Sequence, residues 1–179
     1  LKSSLNTLAL DLPGHGESVG NARVSIDEYA QWLMETLEAF FPEPPFLMGH
    51  SMGGAIVQKA ATTSPSLMKG IILAGTGPRL LVAPAFLEGL LNNFDKTIDA
   101  IMGYAYAPEA DSRLVKDGAA LMREAGSTVV HGDFLACNQF DLRDRIAEID
   151  LPTLVLCGES DQLTPPALSR KLNGSIEGS

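Results

Sequence analysis

The sequence predicts an α/β protein in which helices flank a mostly parallel β-sheet. Short apolar segments typical of strands alternate along the chain with longer segments whose apolar residues recur at helical spacing. The run at residues 70–74 is apolar throughout, as expected for a strand of a parallel sheet that is covered on both faces. Strands that alternate with helices in this way are joined by right-handed crossovers and form a parallel sheet.

The composition is that of one soluble globular domain, with 45% hydrophobic and 20% charged residues in a chain of 179. The net charge of -9 argues against binding to nucleic acid or to an anionic membrane, since both require clustered Lys and Arg. No apolar run approaches the roughly 20 residues that span a bilayer. We therefore expect a small-molecule partner, neither nucleic acid nor membrane, and a cytoplasmic location.

The first part of the chain predicts a strand, a loop and a helix. Apolar residues at 5–10 predict the strand, and the turn-rich residues 11–16 end it. Ser25–Glu28 has the form of a capping box and predicts the start of a helix, which prolines after residue 41 end. We expect its apolar stripe to pack on the sheet; this stripe consists of Ile26, Ala30, Leu33, Leu37 and Phe40.

The rest of the chain predicts two more strands before a helical insertion and one after it. Residues 46–48 predict a strand that leads into a helix ending near residue 64, and residues 70–74 predict the next strand. Residues 84 to about 140 show helical spacing and no convincing strand. Residues 153–157 predict the last strand, and Pro165 predicts the start of the helix that follows it.

Gly49-His50-Ser51-Met52-Gly53 matches the pattern G-x-S-x-G at the junction of a predicted strand and a predicted helix. A serine held in such a tight turn leaves no room for side chains two residues before or after it, so we expect glycine to be required at 49 and 53. We expect Ser51 to be a nucleophile, with the backbone N–H of Met52 and the helix N-terminus facing an oxyanion. A purely structural turn is the alternative.

Three motifs resemble, in order and spacing, those of the α/β-hydrolase family, and in particular its capped bacterial esterase-like members. Residues 10–18 resemble the loop after the family's fourth strand, and Gly49–Gly54 resembles its nucleophile elbow. Leu151–Asp161, with Pro165, resembles its seventh strand and acid loop. The resemblance extends over essentially the whole chain.

The resemblance implies an α/β-hydrolase core at residues 1–78 with the fourth to sixth strands, a helical cap at 79–140, and the core again at 141–179. It also implies that the N-terminal strands and the C-terminal strand of the family are missing from this chain. Since the third strand of the family lies between the fourth and the fifth, we expect a gap in the sheet. Unpaired backbone groups beside that gap predict a polypeptide that folds poorly alone or pairs with another chain.

By this resemblance Asp161 is the acid of a catalytic triad, in which it orients an imidazole. Two alternatives stay open: Glu159 as the acid, or Asp161 as a surface carboxylate that precedes a helix. Some family members carry the acid after the sixth strand, but residues 75–78 contain no carboxylate.

The triad order of this fold is serine, acid, histidine, and no histidine follows Asp161 in the sequence. His15 and His50 are predicted to be structural, with His50 pointing away from the active face of the elbow. His131 is predicted to have a surface or packing role, with a substrate contact as the alternative. We therefore expect the catalytic histidine beyond Ser179 in a longer reading frame, and no activity from this polypeptide alone.

The resemblance implies a serine hydrolase that transfers an acyl group to water, without a metal or cofactor. An apolar cap over the strand ends favours a small apolar carboxylic ester as substrate. The alternatives are a C–C bond hydrolase, an enol-lactone hydrolase or a cofactor-free haloperoxidase, and, in another class, a ligand-sensing protein with a hydrolase fold. Cys137 and Cys157 lack metal-ligand or redox spacing and are predicted to be packed thiols, Cys157 within the last strand.

Overall fold

A computed structural model of the chain describes residues 6–179. Its sheet consists of β1 (Phe46–His50), β2 (Gly70–Ala74) and β3 (Thr153–Leu156), with β2 in the centre. The helices of the described residues are α1 (Ile26–Phe40), α2 (Met52–Thr63), α3 (Pro84–Asn92), α4 (Phe94–Ala105), α5 (Ser112–Ala125), α6 (Ser127–Gln139) and α7 (Pro166–Ser175). None of these helices is long and apolar enough to cross a membrane.

The three strands are parallel and their carboxyl ends are aligned. His50 of β1 pairs with Ala74 of β2, and Ala74 pairs with Leu156 of β3. Because the strands run in one direction, the loops that follow them leave from the same edge of the sheet. This edge brings together the residues after His50, after Ala74 and after Leu156.

Helix α1 forms where the sequence predicts it, but it packs against α2 and not directly on the sheet as expected. The side chain of Ser25 accepts a hydrogen bond from the N–H of Glu28, which caps the helix. The predicted stripe is buried at its first four positions, but Phe40 is 77% exposed because it is the last residue of the helix and lies beyond the core. The main core lies between the sheet, α1, α2 and the C-terminal part of the chain, and its fully buried members include Tyr29, Ile71, Leu73, Leu172 and Ile176.

Helices α3 to α6 form one continuous helical segment with a hydrophobic cluster of its own. Its buried members are Leu90, Ile98, Ile101, Met102, Ala119 and Val130. The two ends of the segment meet on the core side: Arg79 forms a β-bridge with Asp141, and the N–H of Leu142 donates to the carbonyl of Pro78 over 2.8 Å. The Arg79 guanidinium also lies 3.5 Å from the Asp141 carboxylate.

The strand predicted at residues 5–10 is wrong over residues 6–10, which form no strand; Leu5 lies outside the described residues. A strand requires a neighbour for its backbone hydrogen bonds, and β1 pairs with β2 alone in the described sheet. Without that neighbour, Leu8 and Leu10 are exposed, as are Phe46 and Met48 of β1.

The outer strand β3 is shorter and less buried than the sequence predicts. Leu154 and Leu156 are exposed, whereas β2 is buried or half-buried throughout. Cys157 follows β3 and does not lie in it, which corrects its predicted position. Both Cys157 and Cys137 are free thiols and half-buried.

Candidate active site

The chain turns sharply from strand to helix at Ser51. Strand β1 ends at His50 and α2 begins at Met52, so one residue makes the turn. Ser51 has φ 51° and ψ -117°, and among residues 6–179 it is the only residue other than glycine with positive φ. Such a conformation costs a residue with a β-carbon about 1–3 kcal/mol and persists only where the surroundings enforce it.

Hydrogen bonds enforce this conformation on both sides of Ser51. Its N–H donates to the carbonyl of Ala74 at the end of β2, over 3.0 Å. Its carbonyl accepts three hydrogen bonds, from the N–H groups of Gly54 (2.9 Å) and Ala55 (3.2 Å) and from the hydroxyl of Thr76 (2.9 Å). The neighbouring strand and the first turn of α2 therefore hold Ser51 in its strained backbone conformation.

The three glycine positions around Ser51 differ in whether the structure has space for a β-carbon. A β-carbon at Gly49 would overlap the carbonyl of Gly53, which agrees with the prediction for position 49. A β-carbon at Gly53 would meet no atom within 4 Å, so the predicted steric requirement at position 53 is wrong. The next position, Gly54, is crowded as Gly49 is: a β-carbon there would lie 2.6 Å from the methyl of Thr76.

Met52 is the first residue of α2, and no acceptor within residues 6–179 takes its N–H. The first N–H groups of a helix lack partners within the helix and carry the positive end of its dipole. This N–H is available to an oxyanion formed at Ser51, although that role stays a prediction.

Asp161 lies in the loop after β3, against the loop after β2. Its carboxylate accepts hydrogen bonds from the N–H of Thr164 (2.7 Å) and from the Thr164 hydroxyl (2.8 Å). A β-carbon at Gly75, which has φ +49°, would lie 3.3 Å from Oδ2 of Asp161. Glu159 is exposed and forms no hydrogen bond through its carboxylate within residues 6–179. The Thr164 contacts suit a carboxylate before a helix as well as a triad acid, so the role of Asp161 also stays a prediction.

The ring of His50 lies beside the loop after β2, and its orientation relative to the active face of the elbow stays a prediction. A β-carbon at Gly75 would lie 3.3 Å from Nε2 of His50, the same distance as from Oδ2 of Asp161. The imidazole and the carboxylate thus both lie close to the same point beside Gly75. The reason is that β1 and β2 end in register, so the residue after Ala74 lies beside the last residue of β1.

The other two histidines lie elsewhere. Nε2 of His15 is 2.8 Å from the Asp133 carboxylate of α6, and the hydroxyl of the fully buried Tyr29 donates to the same carboxylate over 2.8 Å. Burial raises the pKa of Asp133, and the hydrogen bonds from Tyr29 and His15 offset part of this effect. This cluster joins the loop before α1 to the helical segment. His131 is half-buried in α6.

Sequence analysis did not identify Gly75 or Thr76 as part of the site. The signal was the sequence Gly75–Pro78 directly after a buried strand, where a glycine and a small hydroxyl residue suit a close approach of two backbones. Among residues 6–179, no group of three or more His, Cys, Asp or Glu side chains is arranged to hold a metal ion. A cavity of about 550 Å³ lies between α4 and α5, away from Ser51, so an apolar pocket over the strand ends stays a prediction.

Comparison with known proteins identifies the family. The family model described as "Serine aminopeptidase, S33" matches residues 2–179. The chain is 27% identical over 192 residues to a pimeloyl-[acyl-carrier protein] methyl ester esterase of Pseudoalteromonas atlantica, which covers 98% of the chain and 73% of the relative.

Solved structures show the same fold. A thermophilic esterase superposes with a TM-score of 0.87 at 34% identity, over 94% of this chain and 67% of the esterase. The enol-lactonase of Burkholderia xenovorans LB400 superposes with a TM-score of 0.85 over 94% of this chain and 68% of its own, at 20% identity, which is evidence for the fold alone. The predicted resemblance and fold class are confirmed. The chain therefore belongs to the serine aminopeptidase S33 family and is a hydrolase with the α/β-hydrolase fold.

Proposed function

We propose that the protein hydrolyses carboxylic esters of small apolar acyl groups, with Ser51 as nucleophile. The observation that carries this proposal is the strained turn at Ser51, which is held by the neighbouring strand and followed by the N–H of Met52, for which residues 6–179 offer no acceptor. Strain of this kind persists where function requires a side chain to project from a fixed point. The helix N-terminus next to the serine supplies positive potential where an oxyanion would form.

In the proposed reaction, Oγ of Ser51 attacks the ester carbonyl carbon while a histidine takes the hydroxyl proton. The tetrahedral oxyanion accepts a hydrogen bond from the Met52 N–H. The bond to the alkoxide then breaks, and the histidine returns the proton to the leaving alcohol. Water, activated by the same histidine, hydrolyses the acyl-enzyme and releases the acid.

Asp161 is the proposed partner of that histidine. It lies in the loop after β3, at the edge of the sheet where β1 delivers Ser51, and Thr164 fixes its carboxylate. Since the triad order of this fold puts the histidine after the acid, we propose that residues beyond Ser179 supply it. Two relatives support ester hydrolysis: the one of Pseudoalteromonas atlantica is named a methyl ester esterase, and the thermophilic relative an esterase.

The test uses the polypeptide extended past Ser179 to include the next histidine, here called the extended polypeptide. It should hydrolyse p-nitrophenyl acetate and butyrate and bind a fluorophosphonate probe covalently, and Ser51→Ala should abolish both. Asp161→Asn should lower kcat on the order of 10⁴-fold, because an amide supports the wrong imidazole tautomer. Glu159→Gln is the matched control and should stay within about twofold of the parent.

Three outcomes would contradict the proposal. Labelling that persists in Ser51→Ala would exclude Ser51 as nucleophile. Loss of activity in Glu159→Gln, with Asp161→Asn active, would assign the acid to Glu159. Ligand binding with neither labelling nor turnover in the extended polypeptide would favour the ligand-sensing alternative. The chain of residues 1–179 should show no turnover in the same assays.

A further inference from the structure

We propose that Thr76 is a positioning residue for the nucleophile, and that its hydroxyl fixes the strained backbone of Ser51 from the neighbouring strand. This inference rests on the proposed role of Ser51. It assigns a function to a residue that touches neither the substrate nor the reacting atoms.

The contact between these residues is buried and well formed. Thr76 has no exposed surface, and its Oγ1 donates to the carbonyl oxygen of Ser51 over 2.9 Å. A buried hydroxyl without a partner is costly, so this hydrogen bond is maintained unless the surroundings move. The two residues are 25 positions apart in sequence, which makes the bond a link between separate elements.

The hydrogen bond acts at the point where the backbone is strained. With φ 51° and ψ -117°, Ser51 would relax if its peptide groups were free to turn. Ala74 holds the N–H before the side chain, and Thr76 holds the carbonyl after it. Both residues belong to β2 and its exit loop, so this short segment restrains the peptide groups on both sides of Ser51, together with the N–H groups of Gly54 and Ala55.

The methyl group of Thr76 adds a second restraint. A β-carbon at Gly54 would lie 2.6 Å from that methyl, so the first turn of α2 already packs closely against Thr76. The residue between the two holders, Gly75, lies against Asp161. Residues 74–76 therefore set the position of Ser51 relative to Asp161. A displacement of reacting groups by about 1 Å lowers rates on the order of 100-fold, so even a smaller shift is measurable.

Thr76→Val and Thr76→Ser in the extended polypeptide test this role. Valine keeps the shape of threonine and loses the hydroxyl, whereas serine keeps the hydroxyl and loses the methyl. Active sites are counted by titration with the fluorophosphonate, so that unfolded protein does not enter kcat. We expect Thr76→Val to lower kcat on the order of tenfold with KM within about twofold, and Thr76→Ser to retain at least about half of the parent kcat.

The results separate positioning from stability. A residue that only supports the fold would lower the urea midpoint and leave kcat per titrated site unchanged, and that result would overturn the inference. Equal losses of kcat in both variants would overturn it as well, because they would assign the effect to the methyl. If Thr76→Val does not fold, Thr76→Ala replaces it in the same comparison with Thr76→Ser. A parent that is not labelled at Ser51 would instead refute the proposed function itself.

Discussion

The carboxylate of Asp161 borders the space beside Gly75 that a side chain would need: its Oδ2 lies 3.3 Å from the position of a β-carbon at Gly75. The glycine has φ +49°, and its N–H donates to the carbonyl of Leu156 over 2.9 Å. The loop after the central strand thus lies between the strand of the nucleophile and the loop of the acid, and a side chain at position 75 would be tightly packed against both.

Gly75→Ala should reduce both stability and activity. Alanine at this φ costs about 1–2 kcal/mol of unfolding free energy, and its methyl would press on the Asp161 carboxylate and on the His50 ring. We expect kcat of the extended polypeptide to fall at least about tenfold, since the acid would move. Gly158→Ala is the control, because a β-carbon there meets no atom within 4 Å. Equal effects of the two substitutions, in urea unfolding and in ester hydrolysis, would contradict the prediction.

The two glycines of the serine motif should respond differently to alanine. Gly49→Ala would overlap the carbonyl of Gly53, so we expect a loss of more than about 3 kcal/mol or failure to fold. Gly53→Ala should leave stability within about 1 kcal/mol of the parent, because its β-carbon meets no atom within 4 Å and alanine favours a helix. Urea unfolding of both variants measures this difference. A Gly53→Ala variant as unstable as Gly49→Ala would be evidence against the described elbow.

Asp133→Ala should destabilise the contact between α6 and α1. The hydroxyl of the fully buried Tyr29 donates to this carboxylate over 2.8 Å and would lose its acceptor, at a cost of about 1–3 kcal/mol. Asp133→Asn is the control, since an amide oxygen still accepts from Tyr29. In Tyr29→Phe the hydroxyl is absent, so adding Asp133→Ala should cost less there than in the parent. Additive losses in urea unfolding would argue against the pairing.

The ion pairs of Asp141 should make the folded protein slightly less stable in acid. The Arg143 side chain, with a smaller contribution from Arg79, lowers the pKa of Asp141 from 3.8 to about 2. The stabilising contribution of a carboxylate with a lowered pKa is full above pH 3.8 and is lost as the pH falls towards about 2. Its side chain is 37% exposed, so solvent screens the interaction and the contribution is small.

The measurement is the free energy of unfolding between pH 5 and about pH 2, for the parent and for Asp141→Asn. The variant should lose less stability over this interval than the parent, and added salt should reduce the difference. Glu43→Gln, which removes one exposed ion pair with Lys69, serves as the control. Parallel curves for the parent and Asp141→Asn would show that Asp141 does not contribute.

Local sequence patterns predicted the elements whose causes are local. The capping residue Ser25 and the stripe that follows it fix α1 within a few residues, and the glycine pattern around Ser51 fixes the turn from β1 to α2. The signals that predict these features lie close together in sequence, although the turn at Ser51 is also held by Ala74 and Thr76. The same applies to the helical segment, where spacing alone indicated helices.

The predictions that were wrong or missing concern contacts between parts of the chain that are distant in sequence. Residues 6–10 have the apolar pattern of a strand, but a strand also requires a partner, which sequence periodicity does not supply. The hydroxyl of Thr76 has its hydrogen-bond acceptor 25 positions away in sequence, so local patterns could not reveal it. The sequence predicted a steric requirement for glycine at position 53, but the structure has it at Gly54, because Thr76 occupies the space beside α2.

The bridge between Arg79 and Asp141 has a consequence for how such a chain can diversify. Since the helical segment leaves and re-enters the core at adjacent backbone positions, the sheet places no demand on the length or shape of what lies between them. Closing a longer loop costs little free energy, about 0.6 kcal/mol for each doubling of its length. Insertions, deletions or wholesale exchange between these two residues can therefore change the helical segment while the three parallel strands keep their register.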